Sequence, residues 1–270
     1  MIVSTSARTN EKLEEKARQA AAELDCPFVK REKRSVASLQ ADHNSDCLIV
    51  AKNRLEFYTR DAEEPFFFHP NSASFRVKRL IRGEEDPFIT AAGLKPGMSL
   101  LDCTLGLASD SIAASFVIGP AGQVTGIEGN PVLAYIVKQG LNEWESSLQE
   151  LNEAMRRIQV TSGSYEKVLK SLPDQSVDVV YFDPMFTKPI LSSEGIAGLR
   201  KLAVHNELTR EAIQEARRVA KQRIVLKDHY QSSRFLELGF EQYVRPTSLF
   251  HFGTLETGGK EKAGSVTNKE

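Results

Sequence analysis

A chain of 270 residues, 41% apolar and 26% charged, is long enough to bury a sizeable core and has an ordinary globular composition. A formal net charge of −1 excludes the global basic field of many nucleic-acid binders and leaves that role to a local patch. Three cysteines (Cys26, Cys47, Cys103) without CxxC spacing argue against a disulfide framework and for a cytoplasmic protein. MIVSTSARTNEK has no signal-peptide core, and no run reaches the roughly eighteen apolar residues of a membrane span.

In chain order, Met1–Ser4 is strand-like, and Asn10 opens an amphipathic helix with Leu13, Ala17, Ala20, Ala21 and Leu24 at helical spacing. Phe28–Lys30 is strand-like, and Ser35 caps a short helix through Leu39. Cys47–Ala51 and Leu55–Thr59 read as a hairpin around Lys52-Asn53-Arg54. The polar, Pro-terminated segment 61–65 marks a boundary. Residues 1–64 are therefore expected to form a small α+β module and 65–256 the main domain. Residues 257–270, polar and Gly-rich, are expected to form a disordered tail.

Beyond Ser72 strands and helices alternate. Ser74–Arg82 is a basic amphipathic helix, and Glu84–Ala92 a second helix ended by Gly93. Met98–Cys103, Gln123–Glu128, Ile158–Thr161, Val177–Phe182 and Arg223–Lys227 read as strands. Helices are expected over Asp110–Ile118, after Pro131, over Tyr165–Ser171, around Ile196–Ala203 and over Glu207–Ala220. Phe240–Arg245 and Ser248–Leu255 close the chain as an antiparallel pair. The alternation predicts an α/β fold with a mostly parallel sheet and helices on both faces.

Chemistry-bearing residues sit at the strand ends. The first strand of this region runs into Asp102-Cys103-Thr104-Leu105-Gly106-Leu107-Ala108-Ser109-Asp110. Gly106 permits close approach of backbone to a ligand, and Asp110 is expected to N-cap the next helix. Ala108 and Ser111 stand where a dinucleotide fingerprint has glycine, and the carboxylates of Asp102 and Asp110 favour a cationic ligand such as a sulfonium. Glu128 ends the second strand, placed either for the two hydroxyls of a ribose or to cap the helix begun by Pro131. Ser164, after Gly163, suits an adenine amine or a helix cap, and the two roles are compatible. Val177–Phe182 ends at Asp183-Pro184-Met185-Phe186: a carboxylate, a rigid kink and an aromatic. That set suits a flat, amine-bearing ring, although Asp-Pro also simply starts turns.

In this order the motifs resemble those of class I S-adenosylmethionine-dependent methyltransferases. More narrowly they resemble the RsmJ family, which methylates the exocyclic N2 of a guanine in 16S ribosomal RNA. The similarity runs from about Cys47 to Leu255. It rests on Leu48-Ile49-Val50, Leu55-Glu56-Phe57, Phe75-Arg76-Val77-Lys78-Arg79, the Asp102–Asp110 loop, Glu128-Gly129-Asn130-Pro131-Val132, Tyr181–Phe186, and Ala216–Ala220 leading into Arg223–Lys227. It implies a Rossmann-like fold with a seven-stranded, mostly parallel sheet, a C-terminal antiparallel pair and the small N-terminal module. To Asp102, Thr104 and Gly106 it adds S-adenosylmethionine contacts from Ser109, Asp110, Glu128, Gly129, Gly163, Ser164 and Asp183. The chain departs from the family pattern at Gly106-Leu107-Ala108-Ser109-Asp110, where the family has Gly-Leu-Gly-Arg-Asp, at Thr187, where it has proline, and at Leu80–Glu85, which is less basic.

The lone pair of guanine N2 is delocalised into the ring, so its attack on a methyl group needs acceptors for the amine N–H groups. The Asp183 carboxylate and Pro184 carbonyl are the expected acceptors, with Phe186 stacking on the base and Met185 completing the catalytic set. A base within a duplex cannot reach such a pocket, so the target is unpaired or flipped. Arg76, Lys78, Arg79 and Arg82 form the densest positive cluster, either a phosphate-contacting surface or a solvated helix face. The five histidines lack metal-ligand spacing, so no metal is expected. Expected partners are ribosomal RNA or the small ribosomal subunit, not DNA or a membrane. The alternatives are methylation of a small-molecule or protein amine, and a non-catalytic homologue that binds the cofactor or RNA.

Overall fold

The computed structural model describes residues 1–60, 64–184 and 207–257. Strands β1 (Ile2–Thr5), β2 (Cys47–Val50) and β3 (Leu55–Tyr58) form a three-stranded sheet in that order, β1 parallel and β3 antiparallel to β2. Helix α1 (Glu11–Glu23) is capped by the Asn10 side chain and buries Ala17, Ala20 and Ala21. Ser35 caps α2 (Val36–His43) as the sequence predicts. Phe28 makes only an isolated bridge to Val3. The front sheet is not sealed off from the rest. Phe57 and Phe66 exchange two backbone hydrogen bonds of 2.8 Å, and one apolar cluster runs from Val3, Leu48 and Phe57 through Phe68 and Leu141 to Val179 and Phe252.

The main sheet contains β4 (Ser99–Asp102), β5 (Gln123–Glu128), β6 (Ile158–Ser162), β7 (Val177–Phe182), β8 (Ala220–His229), β9 (Glu241–Tyr243) and β10 (Phe250–Glu256). Their spatial order is β6-β5-β4-β7-β8-β10-β9. β4 to β8 are mutually parallel, and β10 runs antiparallel to both β8 and β9. Helices α3 (Asn71–Ile81), α4 (Pro87–Ala92), α5 (Ser109–Ile118), α6 (Pro131–Glu143), α7 (Gln149–Arg156), α8 (Tyr165–Ser171), α9 (Arg210–Val219) and α10 (Arg234–Glu237) complete the described residues. The expected helix near Ile196 lies outside them, as do residues 258–270 of the tail.

One boundary differs from the sequence reading for a local electrostatic reason. The helix expected from Glu84 begins at Pro87, because Asp86 accepts the N–H groups of Phe88 and Ile89. Glu84 instead turns back to Arg79 and Arg82. The sequence pattern also does not announce α7, a short helix whose buried Leu151, Ala154 and Met155 span little more than one turn.

Along β7 the period of two sends Val179 and Tyr181 to one face of the sheet and Val180 and Phe182 to the other. Both faces are covered, so the strand reads as continuous apolar sequence. The chain builds outward from β4 to β5 and β6 on one side and from β7 to β8 on the other. The β4–β7 junction is the topological switch point, and a crevice there lies outside the carboxyl ends of the strands. Asp102 ends β4 and Asp183 follows β7 on adjacent strands.

Candidate active site

Four strand ends are tied together by side chains that reach from one loop to the next. Asp102 accepts from the Thr104 N–H at 3.0 Å and the Ser111 hydroxyl at 2.7 Å, which folds the loop after β4. Thr104 Oγ1 in turn accepts the Asp183 N–H at 2.6 Å, linking β4 to β7. Glu128 Oε2 accepts from Gly106 N–H at 3.1 Å and Oε1 from Asn130 N–H at 2.9 Å. The Glu128 carbonyl accepts from Gly163 N–H at 2.9 Å. One residue thereby holds the loops after β4, β5 and β6. Beneath this hub, Gly126 makes room for Leu105: a Cβ there would lie 2.3 Å from Leu105 Cδ1.

Several expected roles change on this scaffold. Asp110 does not cap α5. That helix starts after Ala108, which sits in the left-handed region at φ 60° with no side-chain cap. A left-handed conformation costs a non-glycine residue about 1–2 kcal/mol, which accounts for glycine at this place in the family pattern. Asp110 instead meets Arg76 at 2.6 Å, Lys227 at 3.1 Å and the Tyr181 hydroxyl at 3.0 Å. Asp102 is 2% exposed, and its described side-chain partners are Thr104 in the loop and Ser111 in the first turn of α5. In the structure Asp102 organises the loop and Asp110 is an ion-paired anchor. Ser164 caps α8 through Lys167 N–H and also bonds Glu166. Asn130, not Glu128, caps α6.

Burial pushes the Asp102 carboxyl up to about 7, against the hydrogen bonds from Ser111 and Thr104. A folded-state value raised above the unfolded one contributes stability that is present below the unfolded value and is lost as pH rises through the folded one. Relative to Asp102→Asn, wild type should therefore lose up to about 4 kcal/mol of stability between about pH 4 and pH 7. Urea denaturation of both proteins across that range checks this, and parallel curves would disprove it. Burial likewise raises Glu128.

A network of charges lies beside the loop. Arg76 on α3 grips Asp86 through Nε at 2.7 Å and Nη2 at 2.8 Å, and reaches Asp110 and the Ser109 carbonyl through Nη1. Lys227 on β8 bridges Asp110 to Asp183, at 2.7 Å from the latter. Burial, with Asp110 and Asp228 nearby, lifts the Asp183 carboxyl, and Lys227 opposes that rise. The expected Arg76, Lys78, Arg79 and Arg82 cluster therefore divides. Arg76 shares the inward face of α3 with Ala73 and Val77, and its side chain is 17% exposed. Phe75, Lys78 and Arg82 face solvent, with Arg79 and Arg82 paired to Glu84. Met185 and Phe186 lie outside the described residues.

Sequence reasoning did not assign Tyr181 or Asp86 to the site, and for Lys227-Asp228-His229, which follows a strand end, it left open a place lining the substrate side or a plain loop. Helical spacing of Arg76 with Ala73 and Val77 was a usable signal for its inward turn. For Lys227 the signal was its position two residues after the buried Val225. Its partner became visible only with the pairing of Phe182 with Leu226, which brings Lys227 beside Asp183.

A family model of SAM-dependent methyltransferases matches residues 32–240. The Bacillus subtilis protein YpiP is 48% identical over 256 residues, covering 95% of this chain and 99% of that protein. Ribosomal RNA small subunit methyltransferase J of Coxiella burnetii is 29% identical over 83% of this chain and 84% of its own length. Among solved structures, the SAM-dependent methyltransferase NGO1261 of Neisseria gonorrhoeae superposes with a TM-score of 0.63 at 17% identity, covering 97% of this chain and 98% of that one.

Proposed function

The chain belongs to the SAM-dependent methyltransferase family, and from that premise we propose that it methylates an exocyclic amine, first of all guanine N2 of small-subunit ribosomal RNA. S-adenosylmethionine is the cofactor, and when bound it supplies an electrophilic methyl group on a sulfonium. The residues at the strand tips fit it. The Glu128 carboxylate accepts the N–H groups of Gly106, Asn130 and Gly129, and its four lone-pair sites leave acceptor capacity for a ribose hydroxyl. Among the described residues the buried Ser109 hydroxyl has no hydrogen-bond partner, which a polar ligand would satisfy. Among the described residues, a Cβ placed on Gly106 (φ +51°) would meet nothing closer than 4.0 Å, and one on Gly163 (φ +148°) nothing within 4 Å. Gly129 and Ser164 flank the adenosine side in this reading.

The observation that carries the reading is Asp183-Pro184 at the carboxyl end of β7, beside the β4 loop at the switch point. Asp183 accepts one N–H of the amine and the Pro184 carbonyl the other. Both acceptors are fixed before reaction, so nitrogen pyramidalises without reorganising its surroundings. With the methyl group supplied by the cofactor's sulfonium, Asp183 would take the proton that nitrogen sheds. Homologues named as ribosomal RNA small subunit methyltransferase J support RNA as the substrate class. The test supplies labelled S-adenosylmethionine and small ribosomal subunits from a strain lacking the gene, followed by nucleoside mass spectrometry. N2-methylguanosine is expected; no label in RNA would remove the RNA substrate.

A small-molecule or protein amine is the second reading. It is favoured by the inward turn of Arg76 and the pairing of Arg79 and Arg82 with Glu84, which thin the basic surface. Salt separates the two. If RNA binds across α3, Lys78→Ala and Arg82→Ala each reduce the salt slope of RNA affinity by about one.

A further inference from the structure

At the end of β8, Lys227 Nζ lies 2.7 Å from Asp183 Oδ2 and 3.1 Å from Asp110 Oδ2. Its side chain is 17% exposed, so little water competes for the ammonium. On β10, across from β8, the Phe250 ring centroid is 5.1 Å from the same nitrogen. Asp110 is itself held by Arg76 and Tyr181, and Arg76 by Asp86. Helices α3, α4 and α5 thereby brace one end of the ammonium, and the β7 tip takes the other. The groups facing Asp183 are Lys227 and Asp228 from β8 and Asp110 from α5, with Asp102 and Tyr181 close by.

The geometry points to Lys227 as the positioning residue of methyl transfer: anchored on Asp110, it fixes the rotation of the Asp183 carboxylate by holding Oδ2 and turning Oδ1 toward the amine. This rests on the reading of Asp183 as the amine acceptor. Without Lys227 the carboxylate keeps its place in the chain but loses its orientation, and a misplacement of about 1 Å costs on the order of 10²-fold in rate.

The test compares wild type, Lys227→Met and Lys227→Arg, with small ribosomal subunits from the deletion strain as methyl acceptor. Lys227→Met should lower kcat about 10²-fold, with the KM for RNA and the affinity for S-adenosylmethionine little changed. Its acidic limb should move up by about one to three pH units, because loss of a neighbouring cation raises a carboxyl and the protonated acid cannot accept the amine. Lys227→Arg should restore part of the rate and the wild-type limb. A folded Lys227→Met protein with a wild-type kcat and limb would overturn the proposal.

A second readout needs no substrate: the carboxyl 13C titration of Asp183, assigned with Asp183→Asn. If wild type methylates no RNA, the substrate reading fails, and this titration still decides about Lys227. An unchanged Asp183 titration in Lys227→Met overturns the positioning role; an upward shift supports it. Should Lys227→Met fail to fold, Asp110→Asn/Lys227→Met removes one charge of each sign and is read in the same way.

Discussion

Asp183→Asn is expected to lower kcat by about 10²–10³-fold, the usual cost of removing one preorganised electrostatic partner from a transfer site. The substitution preserves shape and removes the charge. Lys227 keeps Asp110 as a counter-ion at 3.1 Å, so no buried cation is stranded and the fold should survive. The Asp183 N–H bond to Thr104 is a backbone contact and is also retained. Cofactor affinity should therefore stay near wild type, because the bonds holding Glu128 and the loop after β4 do not involve the Asp183 carboxylate. Steady-state methyl incorporation and calorimetry with S-adenosylmethionine read the two effects separately. A variant that transfers methyl at the wild-type rate removes Asp183 from the chemistry. One that no longer binds the cofactor makes it a cofactor ligand instead.

Arg76→Met should destabilise the protein by about 3–5 kcal/mol, the cost of breaking a buried ion pair from one side. Methionine fills much of the space but leaves two carboxylates without their shared guanidinium. Asp86 also caps α4 through Phe88 and Ile89, so its disturbance reaches a helix start. Burial pulls both carboxyls up, yet Arg76 holds Asp86 below its ordinary range, and Lys227 and Arg76 together do the same for Asp110. A depressed folded-state value contributes stability that is present above the unfolded value, about 4, and is lost as pH falls through the folded one. The gap between wild type and Arg76→Met should thus be widest near neutral pH and close below about pH 4. Urea titrations across that range measure it. A gap independent of pH would mean that lost packing, not lost charge, accounts for the damage.

The elements most legible in the sequence were those with a strong local cause. Asn10, Ser35 and Ser164 cap helices by bonding N–H groups three residues on, and each was visible as a residue type at a place. The seven-stranded sheet followed from β-α alternation and the family resemblance, because continuous apolar runs between helices demand a sheet covered on both faces. Glu128 was legible as a strand-tip carboxylate. Its bond to the loop after β4 was not, because Gly106 lies in a different chain segment.

By itself the sequence determined the alternating architecture, the order of the strand-end carboxylates and the likeness to cofactor-dependent methyl transfer, since each depends on residues near one another in the chain. Only the tertiary structure decided what those carboxylates face. Asp110, expected as a helix cap, became an anchor because α3 brings Arg76 to it and β8 brings Lys227. Arg76 left the basic surface because one helical face must pack against the core while the other meets water. A charge shows its sign in the sequence, but its partner is fixed by strand register and helix packing. Those rest on long-range contacts that no local pattern encodes.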